Sequence, residues 1–473
     1  MSDVETRALE GDLGFLDEQA LADFVVRQRW FGSKSREVVG AGVLDALAVR
    51  REAPILVLAL VQVRFQPGTH DVYQVPLGLR PSEDGWTENV VGEHDGWRAY
   101  DALSDPDLAR ELAHLIRAGA SIDAGDAAVE FRPLDTGQSS DGLGAVRPIG
   151  AEQSNTSVVF DERLVLKAYR RLEAGVNPEL ELLRFLTQHG FPNVAALSGW
   201  YEHSGRVMDA TLGTLQAFVP GDRDAWAMAL EALTGSDGSF FGRLRRLGEV
   251  TGEMHATLAS DASDPAFAPE EPSAETLGIL TATIDEEIDA VFANLPDDPA
   301  VAPIAGRSEE VRDRLRALAG VGNVGRVIRH HGDYHLGQAL WNGEDWVILD
   351  FEGEPARSLP ERRRKRSPLR DAAGMLRSFA YAASVAEMEH GAAETASWEE
   401  RARREFLDGY RPAVEPASVL PPGRDSMEKL LALFELEKAV YELRYDLDHR
   451  PDWVRVPVAG IVRLLDAEPK GAA

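Results

Sequence analysis

A chain of 473 residues is too long for one ordinary domain, so two or three are expected, with a sizeable core. Its formal charge of −29 argues against nucleic acid and anionic membranes as partners, since both need basic footprints, and the absence of cysteine removes disulfides, thiolate metal sites and thiol nucleophiles. The acidic start lacks the basic and apolar regions of a signal peptide, and the longest apolar run, Ile55 to Val61, is too short to span a bilayer, so a cytoplasmic globular enzyme is expected.

Leu16, Ala20, Leu21, Phe24 and Val25 have helical spacing, which predicts a helix from Leu16 to Arg29. It runs into the segment Arg27 to Lys34, read as a domain edge whose Trp30 and Phe31 are buried beneath Arg27, Arg29 and Lys34. Three strand-like runs follow, Gly40 to Val49, Ala53 to Phe65 and Thr69 to Gly78, with a turn at Pro67-Gly68. The polar stretch Ser82 to Glu93 closes this small mixed unit, in which nothing has catalytic spacing. A helix is predicted over Pro106 to Ala118, and the Ser- and Gly-rich stretch Asp135 to Gly144 reads as a linker.

The next segment supplies a grip on a nucleotide. Gln153, Ser154, Asn155 and Thr156 lead into a hairpin, Val158 to Phe160 and Leu164 to Tyr169, with Lys167 well inside its second strand. Such a Lys can point at a triphosphate as the strand Lys of protein kinases does; standing alone it would read as a snorkelling side chain. Asn177-Pro178 is a helix start, an N-cap followed by Pro at the first helical position, and Gly190 ends the helix. Glu181 is the expected partner of Lys167, with Glu179 the competing choice. A strand from Thr214 to Val219 breaks at Pro220-Gly221, which suits a hinge where backbone groups of Ala217 to Val219 read the edge of adenine.

From residue 222 the pattern is mostly helical, over Trp226 to Leu233, Phe240 to Ala259, Ser273 to Leu295 and Ser308 to Ala319. Then comes HGDYHLGQALWNGEDWVILDF, from His331 to Phe351. His331, Gly332 and Asp333 are followed by four residues and Gln338, the spacing of the kinase catalytic loop H-R-D-x-x-x-x-N with Gln in place of Asn. Asp333 is then the base for a hydroxyl proton. Asp350, closing a strand from Trp346 to Leu349, stands where kinases have the Asp of Asp-Phe-Gly, so Gln338 and Asp350 become the magnesium ligands. A lone Asp at a strand end is more often a turn former, but four matched elements in order are harder to dismiss. The basic run that follows, Arg357, Arg362, Arg363, Arg364, Lys365, Arg366 and Arg370, reads as a solvated loop. Helices are expected again over Asp371 to Ala382, Trp398 to Tyr410 and Met427 to Leu447.

A β-rich lobe with Lys and Glu, a hinge, and a helical lobe carrying HGD and DFE follow the order of the aminoglycoside-phosphotransferase branch of the kinase-like fold. The stretches RQRWFGSK, EQSNTSVVF, LVLKAYRRLEAGVNPELE, HGDYHLGQALW, DFEGEPARSLPERRRKRSPLRDAAGMLRSFAYAA and LEKAVYELRYDLDHRPDWVRVP resemble the bacterial maltokinases, from about Arg27 to Pro457. The resemblance implies an α+β, bilobal protein-kinase-like fold with an N-terminal cap at residues 1–105, a nucleotide-binding N-lobe at 106–220 and a helical C-lobe at 221–473. It implies transfer of the γ-phosphate of ATP to the anomeric hydroxyl of maltose, with Mg2+ as cofactor. It also implies that Glu352, Lys438, Tyr441 and Arg444 meet the sugar, and that the basic run is a family feature. Two other readings stay open. One keeps the chemistry and changes the acceptor, with Asp446 and Asp448 available to meet the amine of an aminosugar. The other is a catalytically inactive nucleotide-binding regulator. The catalytic reading expects folding to bring Lys167 across a cleft to Asp333 and Asp350.

Overall fold

Every residue from Ile55 to Val61 is buried, because the strand that carries them is covered on both faces. In the computed structural model, which describes residues 2–134, 143–150, 154–221, 223–235 and 238–466, this strand is β2 (Ile55–Phe65), flanked by β1 (Val38–Arg50) and β3 (Thr69–Pro81). With β4 (Val90–His94) and β5 (Trp97–Asp101) they form an antiparallel sheet in the order β1-β2-β3-β5-β4. One face of β2, with Val57, Ala59, Val61 and Val63, packs in one core with helices α1 (Asp3–Leu9) and α2 (Glu18–Arg27), which bring Leu21, Phe24 and Val25. The other face, with Leu56, Leu58 and Leu60, packs in a second core with Leu108, Leu112 and Ile116 of α3 (Pro106–Ala118). Trp30 and Phe31 are buried, as the segment after α2 predicts.

That second core is shared with a seven-stranded sheet made of β6 (Ser121–Ala124), β7 (Ala127–Pro133), β8 (Val146–Pro148), β9 (Asn155–Phe160), β10 (Leu164–Tyr169), β12 (Leu197–Gly205) and β13 (Ala210–Ala217), in the order β6-β7-β12-β13-β10-β9-β8. The short β11 (Arg171–Leu172) pairs with β3 and so stitches the two sheets. Two buried polar side chains complete the join. Gln74 Nε2 donates to Tyr169 O at 2.9 Å and Leu212 O at 2.8 Å, while Tyr201 OH donates to Gln74 Oε1 at 2.9 Å. Arg170 pairs with Asp101 at 2.6 Å, donates to Thr156 Oγ1 at 2.8 Å and lies 4.9 Å from the centre of the Trp30 ring. With every polar atom of such a join partnered, it fixes register rather than weakening the core.

The chain divides into two compact units, Met1–Thr187 with Ala195–Pro220, and Gln188–Val194 with Gly221–Ala473. Helix α4 (Pro178–Gln188) closes the first; its start is capped by Asn177, whose Oδ1 accepts from Glu179 N at 2.8 Å. The second unit holds α5 (Ala225–Thr234), α6 (Phe240–Leu258), α7 (Ala274–Ala293) and α8 (Ser308–Ala319), and one hairpin of β14 (Ala339–Trp341) and β15 (Trp346–Ile348). It continues with α9 (Leu359–Arg362), α10 (Leu369–His390), α11 (Thr395–Val414), α12 (Arg424–His449) and α13 (Arg455–Asp466). Helices α6 and α11 meet backbone to backbone: a Cβ on Gly248 would fall 2.0 Å from Phe406 O, and one on Gly409 2.0 Å from Arg245 O. Larger residues there would force the pair apart.

Most of the linker expected at Asp135 to Gly144, and Gln153, lie outside the described residues. Two expectations are corrected. The stretch Ser82 to Glu93 does not close the sheet, since β4 begins within it at Val90 and β5 follows. The basic run is not a solvated loop. Lys365 Nζ is enclosed, bonded at 2.7 Å to both Pro265 O and Ala268 O, and Arg366 exchanges backbone hydrogen bonds with Ile328 at 2.9 Å. A long-range bridge of this kind leaves no periodicity for composition to reveal.

Candidate active site

The HGD turn is held from below by one carboxylate. Asp371, buried in the first turn of α10, accepts from His331 N at 2.8 Å, from Gly332 N at 3.0 Å and from His255 Nε2 on α6 at 3.0 Å. Burial by itself opposes its charge, but the surrounding histidines, His330 once acid protonates it and His255 through its hydrogen bond, hold it well below the usual carboxylate range. His331 adds a second anchor. Its Nε2 donates to Leu349 O at 2.9 Å and its ring lies 4.7 Å from that of Phe351, so the loop is tied to the end of β15. Gly332 has φ +89°, a left-handed turn that leaves Asp333 at the loop's tip.

The single turn Leu336–Gln338 is capped by His335, whose Nδ1 accepts from Gly337 N at 3.1 Å. It delivers Gln338 to Asp350: Gln338 Nε2 donates to Asp350 Oδ2 at 3.2 Å. Asp350 has φ +62°, a conformation that costs a non-glycine residue about 1 to 2 kcal/mol and that Asp tolerates better than most. A carboxamide and a carboxylate side by side offer oxygen donors, the chemistry of a hard divalent cation, so this pair fits magnesium.

Asp333 opens into a cavity of about 490 Å³ built wholly from the second unit, walled by α7, α10, α12 and the segment after β15. Lys438 on α12 reaches into it, 2.8 Å from Glu354 Oε1 and 3.6 Å from Asp333 Oδ1. Glu354 also pairs with Arg357. Burial alone would raise the Glu354 carboxyl, yet Lys438 and Arg357 hold it at about 2; burial alone would lower the Lys438 ammonium, yet Glu354 and Asp333 hold it up. Tyr441 lies beneath two cations, 5.0 Å from Lys438 and 5.6 Å from Arg444 between charge and ring centre. Arg444 pairs with Glu287 of α7 at 2.8 Å, and burial raises the Glu287 carboxyl.

Of the residues expected to meet a sugar, Lys438, Tyr441 and Arg444 line this cavity with Asp333. Glu352 does not; its carbonyl accepts from Arg362 Nη1 at 3.0 Å, and the acid in the wall is Glu354, two residues on. Asp446 is also elsewhere, fully buried and bonded to Tyr381 and Arg450, and Asp448 is exposed. Glu354, Glu287, Asp371 and the cavity arginines were missed because the helices that close the cavity around them, α7, α10 and α12, are far apart in sequence. Only the helix-start pattern at Asp371 was visible beforehand.

In the first unit, Lys167 is buried on β10 between Ser157 and Thr214 of the neighbouring strands. Its Nζ lies 2.9 Å from Glu179 Oε2, which also accepts from Tyr169 OH at 2.8 Å. Glu179, the competing choice to Glu181, is thus against the ammonium, and Glu181 is buried on the same helix. Residues two apart on a helix point about 200° apart, so the phase of α4 decides which one faces β10. Asn155 alternates onto the same face as Lys167, whereas Thr156 faces the other way and its hydroxyl is taken by Arg170. Ser154 is exposed. At the expected hinge, Ala217 N donates to Ala196 O and Phe218 N to Arg163 O, both at 2.8 Å. Val219 alone of the three keeps an N–H with no backbone partner among the described residues.

Comparison with known proteins adds the following. The maltokinase N-terminal cap domain matches residues 24–105, and the phosphotransferase enzyme family matches residues 145–407, more than half of the chain. A glucosamine kinase of Streptacidiphilus jiangxiensis is 27% identical over 415 residues, covering 82% of this chain and 88% of its own. Another from Mycolicibacterium smegmatis (strain ATCC 700084 / mc(2)155) is 27% identical over 334 residues, covering 68% and 79%. Among solved structures, glucosamine kinase in complex with glucosamine, ADP and inorganic phosphate has a TM-score of 0.69 at 19% identity, over 94% of this chain and 99% of that chain. Crystal form B of glucosamine kinase gives 0.70 at 21% identity with the same coverage. The fold is thus kinase-like, α+β, with a sheet-rich N-terminal part, a helical C-terminal part and an N-terminal cap. The maltokinase likeness holds for the cap, while the relatives that span both parts bear the name of glucosamine kinase.

Proposed function

We propose, for a chain that belongs to the phosphotransferase enzyme family and uses a hydroxyl acceptor, that it transfers the γ-phosphoryl group of ATP to an aminosugar of the glucosamine class. The observation that carries this reading is the cavity of about 490 Å³ into which Asp333 opens, lined by the polar side chains Lys438, Tyr441 and Arg444 that a small hydroxylated acceptor would meet. The naming of both curated relatives supports it. Asp446 and Asp448 have no part in it. Residues 1–105, 106–220 and 221–473 are read as cap, nucleotide-binding lobe and catalytic lobe.

In this reading Asp333 orients the acceptor hydroxyl and takes its proton as the oxygen bonds to the γ phosphorus and the bond to the β-phosphate oxygen breaks, releasing ADP. Lys438, fixed by Glu354, keeps Asp333 aimed into the cavity. Lys167, braced by Glu179, draws off charge from the nucleotide's phosphates, and Asn155 and Val219 are the remaining nucleotide contacts proposed. Asp350 and Gln338 would hold magnesium, which supplies charge neutralisation for the loose transition state.

A second reading, maltose as acceptor, draws on the match of the cap to maltokinases. Incubation with ATP, magnesium and a panel of glucosamine, glucose and maltose, following ADP release, separates them. Turnover with glucosamine is expected. Turnover with maltose alone would establish the second reading, and no turnover with any sugar would leave a nucleotide-binding regulator.

A further inference from the structure

Four arginines of the basic run, Arg357, Arg362, Arg366 and Arg370, reach the cavity that holds Asp333. Three are occupied: Arg357 by Glu354, Arg362 by the carbonyl of Glu352 and Arg370 by Glu437. The guanidinium of Arg366 makes no hydrogen bond and no ion pair among the described residues, although its backbone is pinned to Ile328. Burial, reinforced by the cations Arg370, Arg357 and Arg364, pushes it down to about 10, against the pull of Glu437 alone, a carboxylate that Arg370 already holds. Glu361 lines the same space but is engaged by Ser358 N at 3.0 Å and Ser358 Oγ at 2.7 Å.

His330 stands in the same wall, 7% exposed, its Nδ1 without a hydrogen-bond partner. Burial keeps this imidazole neutral, down to about 3, so it adds hydrogen-bonding capacity without charge. A guanidinium in this setting is matched by a group with two parallel oxygens, which it grips through paired N–H bonds.

We propose that Arg366, with His330 beside it, forms an oxyanion subsite within the acceptor cavity, taking either free orthophosphate or the phosphoryl group of a sugar phosphate. Occupancy there competes with the acceptor and not with ATP, so the enzyme is restrained by phosphate or by its own class of product. The proposal stands on the cavity's geometry and holds whichever sugar is the acceptor.

The test is calorimetric titration of the full chain, without ATP or acceptor, first with orthophosphate and then with glucose 6-phosphate. Arg366→Gln should weaken binding by about tenfold or more, as loss of a charge-assisted pair does. Arg366→Lys, which keeps the charge and loses the fork, should lose less, and it carries the test if Arg366→Gln does not fold. Lys167→Met should leave the affinity unchanged. Binding of orthophosphate alone identifies the free ion as ligand, while binding of the sugar phosphate only identifies the phosphoryl group; dependence on Arg366 supports the proposal in either case. Equal affinity in wild type and both Arg366 variants, loss in Lys167→Met instead, or no binding of either probe overturns it. Since no turnover is measured, failure of the glucosamine reading leaves these outcomes legible.

Discussion

Replacing Glu354 with Gln removes the carboxylate that joins Lys438 to Arg357 behind Asp333. Glu354 is 9% exposed and its carboxyl lies at about 2 against an ordinary value of 4.5, a depression that corresponds to roughly 3 kcal/mol of stabilisation at neutral pH. Because the folded value is the lower one, this contribution is complete above pH 4.5 and disappears as pH falls from there toward 2. Urea unfolding followed by tryptophan fluorescence should show Glu354→Gln roughly 1 M below wild type in midpoint at pH 7, for a slope of about 3 kcal/mol per molar. The offset should shrink as pH falls below 4.5, to about a quarter of its neutral value at pH 2.5. The same variant leaves Lys438 with Asp333, 3.6 Å away, as its nearest carboxylate. The ammonium then settles on the catalytic acid, and kcat should fall while KM for ATP holds. An offset in midpoint that persists unchanged from pH 7 to pH 2.5, or no offset at pH 7, refutes the reasoning.

Asp333→Asn should lower kcat by orders of magnitude with ATP affinity barely changed, measured by ADP release and by nucleotide titration; an unchanged kcat would remove Asp333 from the mechanism. Glu179→Gln should raise KM for ATP by about tenfold, because it unseats a buried ion pair; an unchanged KM would remove Glu179 as the brace of Lys167. Asp371→Asn cannot accept from both backbone N–H groups as the carboxylate does, so it should cost about 2 kcal/mol and speed hydrogen exchange at His331 and Gly332. Gln338→Ala should raise the magnesium concentration needed for half-maximal turnover, read from initial rates, while leaving the unfolding midpoint in place.

Features that rest on neighbours in sequence were legible from the chain alone. The hairpin around Lys167, the Asn177-Pro178 helix start, the helix at Pro106–Ala118 and the spacing from His331 to Gln338 are each determined by residues a few positions apart. Local periodicity and turn chemistry suffice for them. The apolar run of β2 declared a strand, although not that both its faces are covered, nor what covers them.

Tertiary structure decided which charge meets which. The phase of α4 set Glu179 against Lys167, and a carboxylate 40 positions downstream, Asp371, carries the backbone of the catalytic loop. The basic run could be read as solvent-facing until its bridge to Ile328 folded Arg366 inward. Asp446 could be counted as a ligand until Tyr381 and Arg450 enclosed it. The physical reason is the same throughout: a side chain's spacing is a property of its own segment, whereas its partner and its exposure belong to whichever segment the fold lays against it.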